Sequence, residues 1–125
     1  MSFAKGKRTK GYRSKLESAV ATRLKKLKLP FDYETVTLQY VSDYVPDFIL
    51  EGDIILEVKG VLLQKDRTKM AAVKKAHPDK RIVFVFQKPH MRVPRLKMTH
   101  AEWAEKYNFE WIDASSFKRK DFNLK

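Results

Sequence analysis

The order of elements read from hydrophobic periodicity is helix, three strands, helix, strand, helix, strand. It predicts a mixed α/β (α+β) fold, a central mixed β-sheet flanked by helices. Three observations carry this expectation. Leu16, Val20, Leu24 and Leu27 recur at steps of four, four and three, one face of a helix. Two short apolar runs, 48–50 and 54–58, bracket Glu51-Gly52-Asp53 as the strands of a hairpin bracket their loop. The run RIVFVF at 81–86 is nearly all apolar, as expected of a strand covered on both faces.

In chain order, the first helix covers 14–28 and Pro30 ends it. Residues 35–41 (TVTLQYV) alternate, with Val36, Leu38 and Tyr40 on one side, and read as a half-buried strand. After the hairpin, Met70, Val73 and Ala76 recur at spacing three in a helix over 66–76, stopped by His77-Pro78-Asp79. Thr99-His100-Ala101-Glu102 has the form of a capping box, which starts a short helix reaching about Tyr107. Residues 109–112 read as a last strand and 115–125 as a polar, basic tail without a core role. The resulting organisation is a basic arm at 1–12, one domain at 13–113 and a basic tail at 114–125, with no internal repeat.

A chain of 125 residues with 43% hydrophobic side chains has room for one domain and its core. The absence of cysteine excludes disulfides, a thiol nucleophile, zinc-thiolate sites and iron–sulfur clusters. No apolar run approaches the roughly 18 to 20 residues of a membrane span, and the segment MSFAKGKRTKGYRSK lacks the apolar centre of a signal peptide. The expectation is a soluble, cytoplasmic protein with no membrane partner.

Charge is distributed unevenly. The formal net charge is +12, and residues 1–30 hold ten basic side chains against the single acid Glu17. A polybasic arm followed by a basic helix suits neutralisation of backbone phosphates, which makes nucleic acid the leading partner. A solvated tail, or one drawn to anionic lipid, is the competing reading; Phe3 and Tyr12 form no apolar helical face, which weakens the lipid version. The candidate DNA contacts are Lys5, Lys7, Arg8, Lys10, Arg13, Lys15 and, further on, Arg67. The loop 87–98, with two prolines and five basic or histidine side chains, either lies on a DNA backbone or is solvated.

The chemistry concentrates at Pro46-Asp47 and Glu57-Val58-Lys59. A strand has period two, so Glu57 and Lys59 share a face while Leu56 and Val58 point the other way. Register decides where Asp47 lies. With a two-residue turn at Glu51-Gly52, Asp47 would face Leu56 and lie on the opposite side from Glu57. With a three-residue loop and glycine in the left-handed position of a bulge, Leu50 pairs with Ile54 and Asp47 lies across from Glu57. The second register is the expectation. Two carboxylates about 5 Å apart on adjacent strands repel unless a cation lies between them. Oxygen-only ligation by Asp47 and Glu57 suits Mg²⁺, with Mn²⁺ as its substitute. Lys59 can then orient a water or stabilise developing negative charge, which equips the patch for phosphodiester hydrolysis. The bland reading is an exposed Glu57–Lys59 ion pair and a turn aspartate. His77, His90 and His100 lie too far apart for a helical metal pair and read as surface or loop residues.

Pro46-Asp47 followed by Glu57-Val58-Lys59 resembles the PD-(D/E)xK nuclease signature. More of the chain is similar to one group within it, the bacteriophage T-seven endonuclease I type of DNA junction resolvase. Tyr12-Arg13-Ser14 with Leu16-Glu17, Phe31-Asp32-Tyr33-Glu34, Val45-Pro46-Asp47-Phe48, Glu57-Val58-Lys59-Gly60, His77-Pro78 with Arg81-Ile82-Val83-Phe84, and Glu102-Trp103-Ala104-Glu105-Lys106 run in that family's order. The resemblance implies a restriction-endonuclease-like core and a metal-dependent endonuclease of phage or mobile-element origin, acting in the host cell. It implies cleavage of branched DNA, above all four-way (Holliday) junctions, by paired nicks. By position Asp47 and Glu57 would be metal ligands and Lys59 the catalytic lysine. Glu17 would be a further acidic residue of the site and Asp32 a weaker candidate. The family pattern is an intertwined, domain-swapped homodimer in which Glu17 of one chain completes the site of the other. Here the stretch between Glu34 and Asp47 is shorter than the family's bridging segment. A sequence-specific homing or nicking enzyme on the same core, and a non-catalytic DNA-binding protein, are the alternatives; no separate recognition helix or zinc finger supports the former.

Overall fold

A computed structural model of the chain describes residues 11–39 and 43–123. Lys5, Lys7, Arg8 and Lys10 of the arm, and Tyr40 and Val41 of the expected strand, lie outside the described residues. Helix α1 is Lys15–Lys26, with Ser14 at its N-cap accepting a hydrogen bond from the Glu17 amide at 3.0 Å. The strands are β1 (Phe31–Tyr33), β2 (Leu38–Gln39), β3 (Asp43–Tyr44), β4 (Phe48–Leu50), β5 (Ile54–Lys59), β6 (Arg81–Phe86) and β7 (Glu110–Asp113). Helices α2 (Gln64–Ala76) and α3 (His100–Lys106) complete the framework. The five-stranded sheet has the order β1-β4-β5-β6-β7, antiparallel through β5 and parallel from β5 to β7, so the expected mixed sheet is present.

Each face of the sheet has its own core. Leu50, Leu56, Val83 and Val85 pack with Val20 and Leu24 of α1 on one side. Ile49, Ile55, Phe84 and Phe86 pack with Met70 and Val73 of α2 and Trp103 and Ala104 of α3 on the other. This two-sided burial explains why β5 and β6 read as continuous apolar runs: alternate residues enter different cores and neither face meets water. The Thr99 capping box forms as expected, its hydroxyl accepting from the Glu102 amide at 3.1 Å and the Glu102 carboxylate from the Thr99 amide at 2.8 Å.

Four expectations need correction. Among the described residues, the strand expected over 35–41 comes down to Leu38–Gln39, which pairs with Asp43–Tyr44 in a separate two-stranded sheet. The edge strand of the main sheet is instead Phe31–Tyr33, whose three residues are too few to show alternation. Helix α2 begins two residues before Asp66, because that carboxylate turns back to accept from the Leu63 amide at 3.0 Å and caps the first turn from within. The C-terminal segment has a core role: Phe117 and Phe122 are fully buried against α1 and the sheet, and Arg23 and Arg81 donate to their carbonyls at 2.7 and 2.6 Å. The two phenylalanines follow no single period among basic neighbours, so their burial was invisible to a periodicity reading. Finally, His100 is wholly buried. Its Nε2 accepts from the Leu62 amide at 3.0 Å, so the proton sits on Nδ1 and is donated to the Met91 carbonyl at 2.7 Å.

Candidate active site

The hairpin register is the one that the three-residue loop requires. Leu50 pairs with Ile54 and Phe48 with Leu56, and the ladder continued by one step sets Asp47 across from Glu57. The loop turns on Gly52 (φ +87°) and Asp53 (φ +61°), with the Asp53 amide donating to the Leu50 carbonyl at 3.0 Å. Asp47 is fixed from the neighbouring strand, its Oδ2 accepting from the Val58 amide at 2.7 Å. The side chains therefore gather at one end of the sheet, where β1 ends, β4 begins and β5 ends.

Glu57 is buried, 5% exposed, yet it carries a carboxylate in an apolar strand. Its Oε1 accepts from the Tyr44 hydroxyl at 2.7 Å and its Oε2 lies 3.7 Å from Lys59 Nζ. Burial raises the Glu57 carboxyl above the ordinary range, against the opposing pull of Lys59, the Tyr44 hydroxyl and Lys69. Lys59 is held from a second side by Asp66 Oδ1 at 3.2 Å. Burial pulls the lysine down, but the Glu57 and Asp66 carboxylates outweigh it and leave the ammonium more firmly protonated.

Helix α1 delivers another acid to the same end. Glu17, 7% exposed, accepts on Oε1 from the Tyr33 hydroxyl at 2.8 Å and from the Arg13 amide at 3.0 Å. Glu34 follows β1 in the left-handed region (φ +52°), its amide donating to the Asp47 carbonyl at 3.3 Å and its carboxylate paired with Arg13 Nε at 2.8 Å. One carboxylate oxygen each from Glu17, Glu34 and Asp47 lies within 4.8 Å of the other two. Asp47 bears the consequence: burial, then the charge of Glu57, push its carboxyl up to about 9, the Val58 amide opposes, and Glu17 raises it further. An oxygen-only set of carboxylates, in which burial and then Glu57 disfavour the charged form of Asp47, is the chemistry of a hard divalent cation site. The residues present fit Mg²⁺ or Mn²⁺.

Of the residues expected from sequence, Glu17, Asp47, Glu57 and Lys59 come together. Glu17 lies beside Asp47. Asp32 is buried on β1 opposite Ile49 and is not one of the three carboxylates that converge. Arg67 is half-buried, Nη1 donating to the Leu62 carbonyl at 3.0 Å. Glu34, Tyr44 and Asp66 went unassigned. The sequence held a signal for Asp66, an acid at the start of a helix just after Lys59, but none for Tyr44, because Pro46 breaks the period between it and Asp47.

Comparison with known proteins adds an independent line. The family model for phage endonuclease I matches residues 1–116. "Endodeoxyribonuclease 1" of Enterobacteria phage T3 is 34% identical over 110 residues, covering 83% of this chain and 72% of that protein. "Endonuclease I" of Escherichia phage T7 is 32% identical over 117 residues, covering 88% of this chain and 78% of that protein.

Proposed function

Because the chain belongs to the phage endonuclease I family, we propose that this DNA endonuclease is metal-dependent and resolves four-way junctions by hydrolysing phosphodiester bonds in paired nicks. The observation that carries the reading is the meeting of Asp47, Glu57 and Lys59 at one end of the central strands. Asp47 and Glu57, with Glu17 and Glu34 beside Asp47, would hold the cation. A divalent ion bound there would supply positive charge to the scissile phosphate and acidify a water. Lys59, held by Glu57 and Asp66, would orient a water or meet developing negative charge, and Tyr44 keeps the Glu57 carboxylate turned toward the lysine.

Two nicks call for two sites, and a symmetric pair of chains supplies them. Each chain supplies one Glu17 and one Asp47, so a homodimer would bring two carboxylate groups to one junction whether or not segments are exchanged. No helix among the described residues is long and apolar enough to cross a membrane.

The test is incubation of a four-way junction, a matched linear duplex and a single strand with wild type and Glu57→Ala, in Mg²⁺ or EDTA. Paired Mg²⁺-dependent cuts near the branch point, lost in the variant while junction binding persists, are expected. Cutting confined to one duplex sequence would replace junction choice by sequence choice. Binding without cleavage under either metal would make the carboxylate patch structural.

A further inference from the structure

A polar cleft of about 630 Å³ runs along the solvent side of α1, lined by Arg13, Ser14, Lys15, Ser18, Thr22 and Lys25. We propose that this cleft is a track for the phosphodiester backbone of one duplex arm of the DNA, leading away from the carboxylate site. The proposal rests on the nuclease reading above and adds where the uncut part of the substrate lies.

Three features point to a nucleic-acid backbone. The first is charge. The only acid of α1, Glu17, is turned inward to Tyr33, so the outer face carries Lys15 and Lys25 with no carboxylate of its own helix between them. The second is relief. Ser14, Ser18 and Thr22 recur every four residues, one small hydroxyl per turn. The Thr22 hydroxyl donates back to the Ser18 carbonyl at 3.0 Å, which keeps that side chain low on the helix. The Ser14 oxygen accepts from the Glu17 amide, which leaves its hydroxyl proton to donate outward. A strip of small hydroxyl side chains flanked by cations admits a phosphate chain close to the helix, whereas long side chains would hold it off.

The third is continuity with the site. Arg13 borders the cleft, and its guanidinium reaches Glu34, one of the three clustered carboxylates. A strand leaving the scissile position past Arg13 meets Ser14 and Lys15 first and Lys25 last. The two lysines are ten positions apart on the helix, about 15 Å at the helical rise, which is the axial length of about four nucleotides of one strand. The cleft therefore accommodates a short tract of backbone rather than a single phosphate, and contacts to phosphate carry no sequence information. Contacts made there strengthen binding alike for any DNA sequence.

The test uses the full chain with Lys25→Glu, Ser18→Glu and the milder Ser18→Ala/Lys25→Ala. All sit on an exposed helical face, and thermal melting checks that the fold is unchanged. Binding of a labelled four-way junction and of a random-sequence duplex is measured by anisotropy in EDTA over a range of salt. Single-turnover cleavage at saturating enzyme is measured separately in Mg²⁺. Lys25→Glu is expected to weaken binding of both DNAs about tenfold and to reduce the slope of log K against log salt by about 1. The saturated cleavage rate should stay at the wild-type value. Wild-type affinity and salt slope in Lys25→Glu and Ser18→Glu, with wild-type cleavage intact, would overturn the track and leave the nuclease standing. A slowed saturated cleavage rate at unchanged affinity would also overturn it, because the face would then act on the reaction instead of on binding. A wild-type protein that neither binds nor cuts either DNA would remove both readings together.

Discussion

Asp47→Asn keeps the shape of the side chain and an acceptor for the Val58 amide while removing a carboxylate that its surroundings disfavour. In the unfolded chain an aspartate ionises near its ordinary value of about 3.9; in the metal-free fold this carboxyl is pushed up to about 9, first by burial and then by Glu57. The group is therefore neutral at no cost below about pH 4 in either state. As pH rises above that value the unfolded chain releases its proton and the folded one does not, so folding stability falls steadily toward the folded value. Each pH unit costs about 1.4 kcal/mol, and the interval from about pH 4 to pH 7 sets an upper limit of about 4 kcal/mol. Sharing of the proton with Glu57 lowers the realised figure to roughly 2–4 kcal/mol. Urea unfolding in EDTA at several pH values measures it. Asp47→Asn should match wild type near pH 4, exceed it by that amount at pH 7, and lose the advantage when Mg²⁺ is added, because the cation stabilises only the wild-type carboxylate. Parallel stability curves for the two proteins across this range would refute the electrostatic account of the site.

Other consequences follow from single contacts. Tyr44→Phe removes the donor to Glu57 Oε1 inside the protein, and cleavage in Mg²⁺ should slow about tenfold, with a stability loss of about 1–3 kcal/mol in urea melts. Phe122→Ala empties a fully buried position against α1 and the sheet; a loss of about 3–5 kcal/mol is expected, whereas an inert tail would lose nothing. His100→Ala orphans the Leu62 amide, whereas the Met91 carbonyl keeps the backbone amide of residue 100, and a loss of about 1–3 kcal/mol should appear together with faster hydrogen exchange at Leu62.

Stability and function press on the same few residues. The carboxylate cluster lies at the margin of a well-packed sheet, and Glu34 is held beside it in a left-handed conformation that a non-glycine residue adopts at a cost of about 1–2 kcal/mol. The buried aromatic and aliphatic side chains behind β4 and β5 stabilise an arrangement of like charges that alone would separate.

Local pattern was enough to read α1, the hairpin and its register, β6 and the capped α3. In each case short-range periodicity or a cap declares the element, and one face or both must be buried whatever the partner. It was also enough to single out Asp47, Glu57 and Lys59, because a charged pair in an apolar strand asks for a reason, and the three-residue loop fixes which side Asp47 takes. Glu17 stood out as the lone acid of a basic segment. The tertiary structure decided what depends on contacts between distant segments. It set Glu17 and Glu34 against Asp47 through β1 and the start of α1, and Tyr44 and Asp66 on either side of the Glu57–Lys59 pair. It also turned His100 from a presumed surface residue into an internal strut, and Phe117 and Phe122 from tail residues into core. None of these placements has a local signature, because a buried hydrogen bond or a buried ring is defined by what the rest of the chain brings to it.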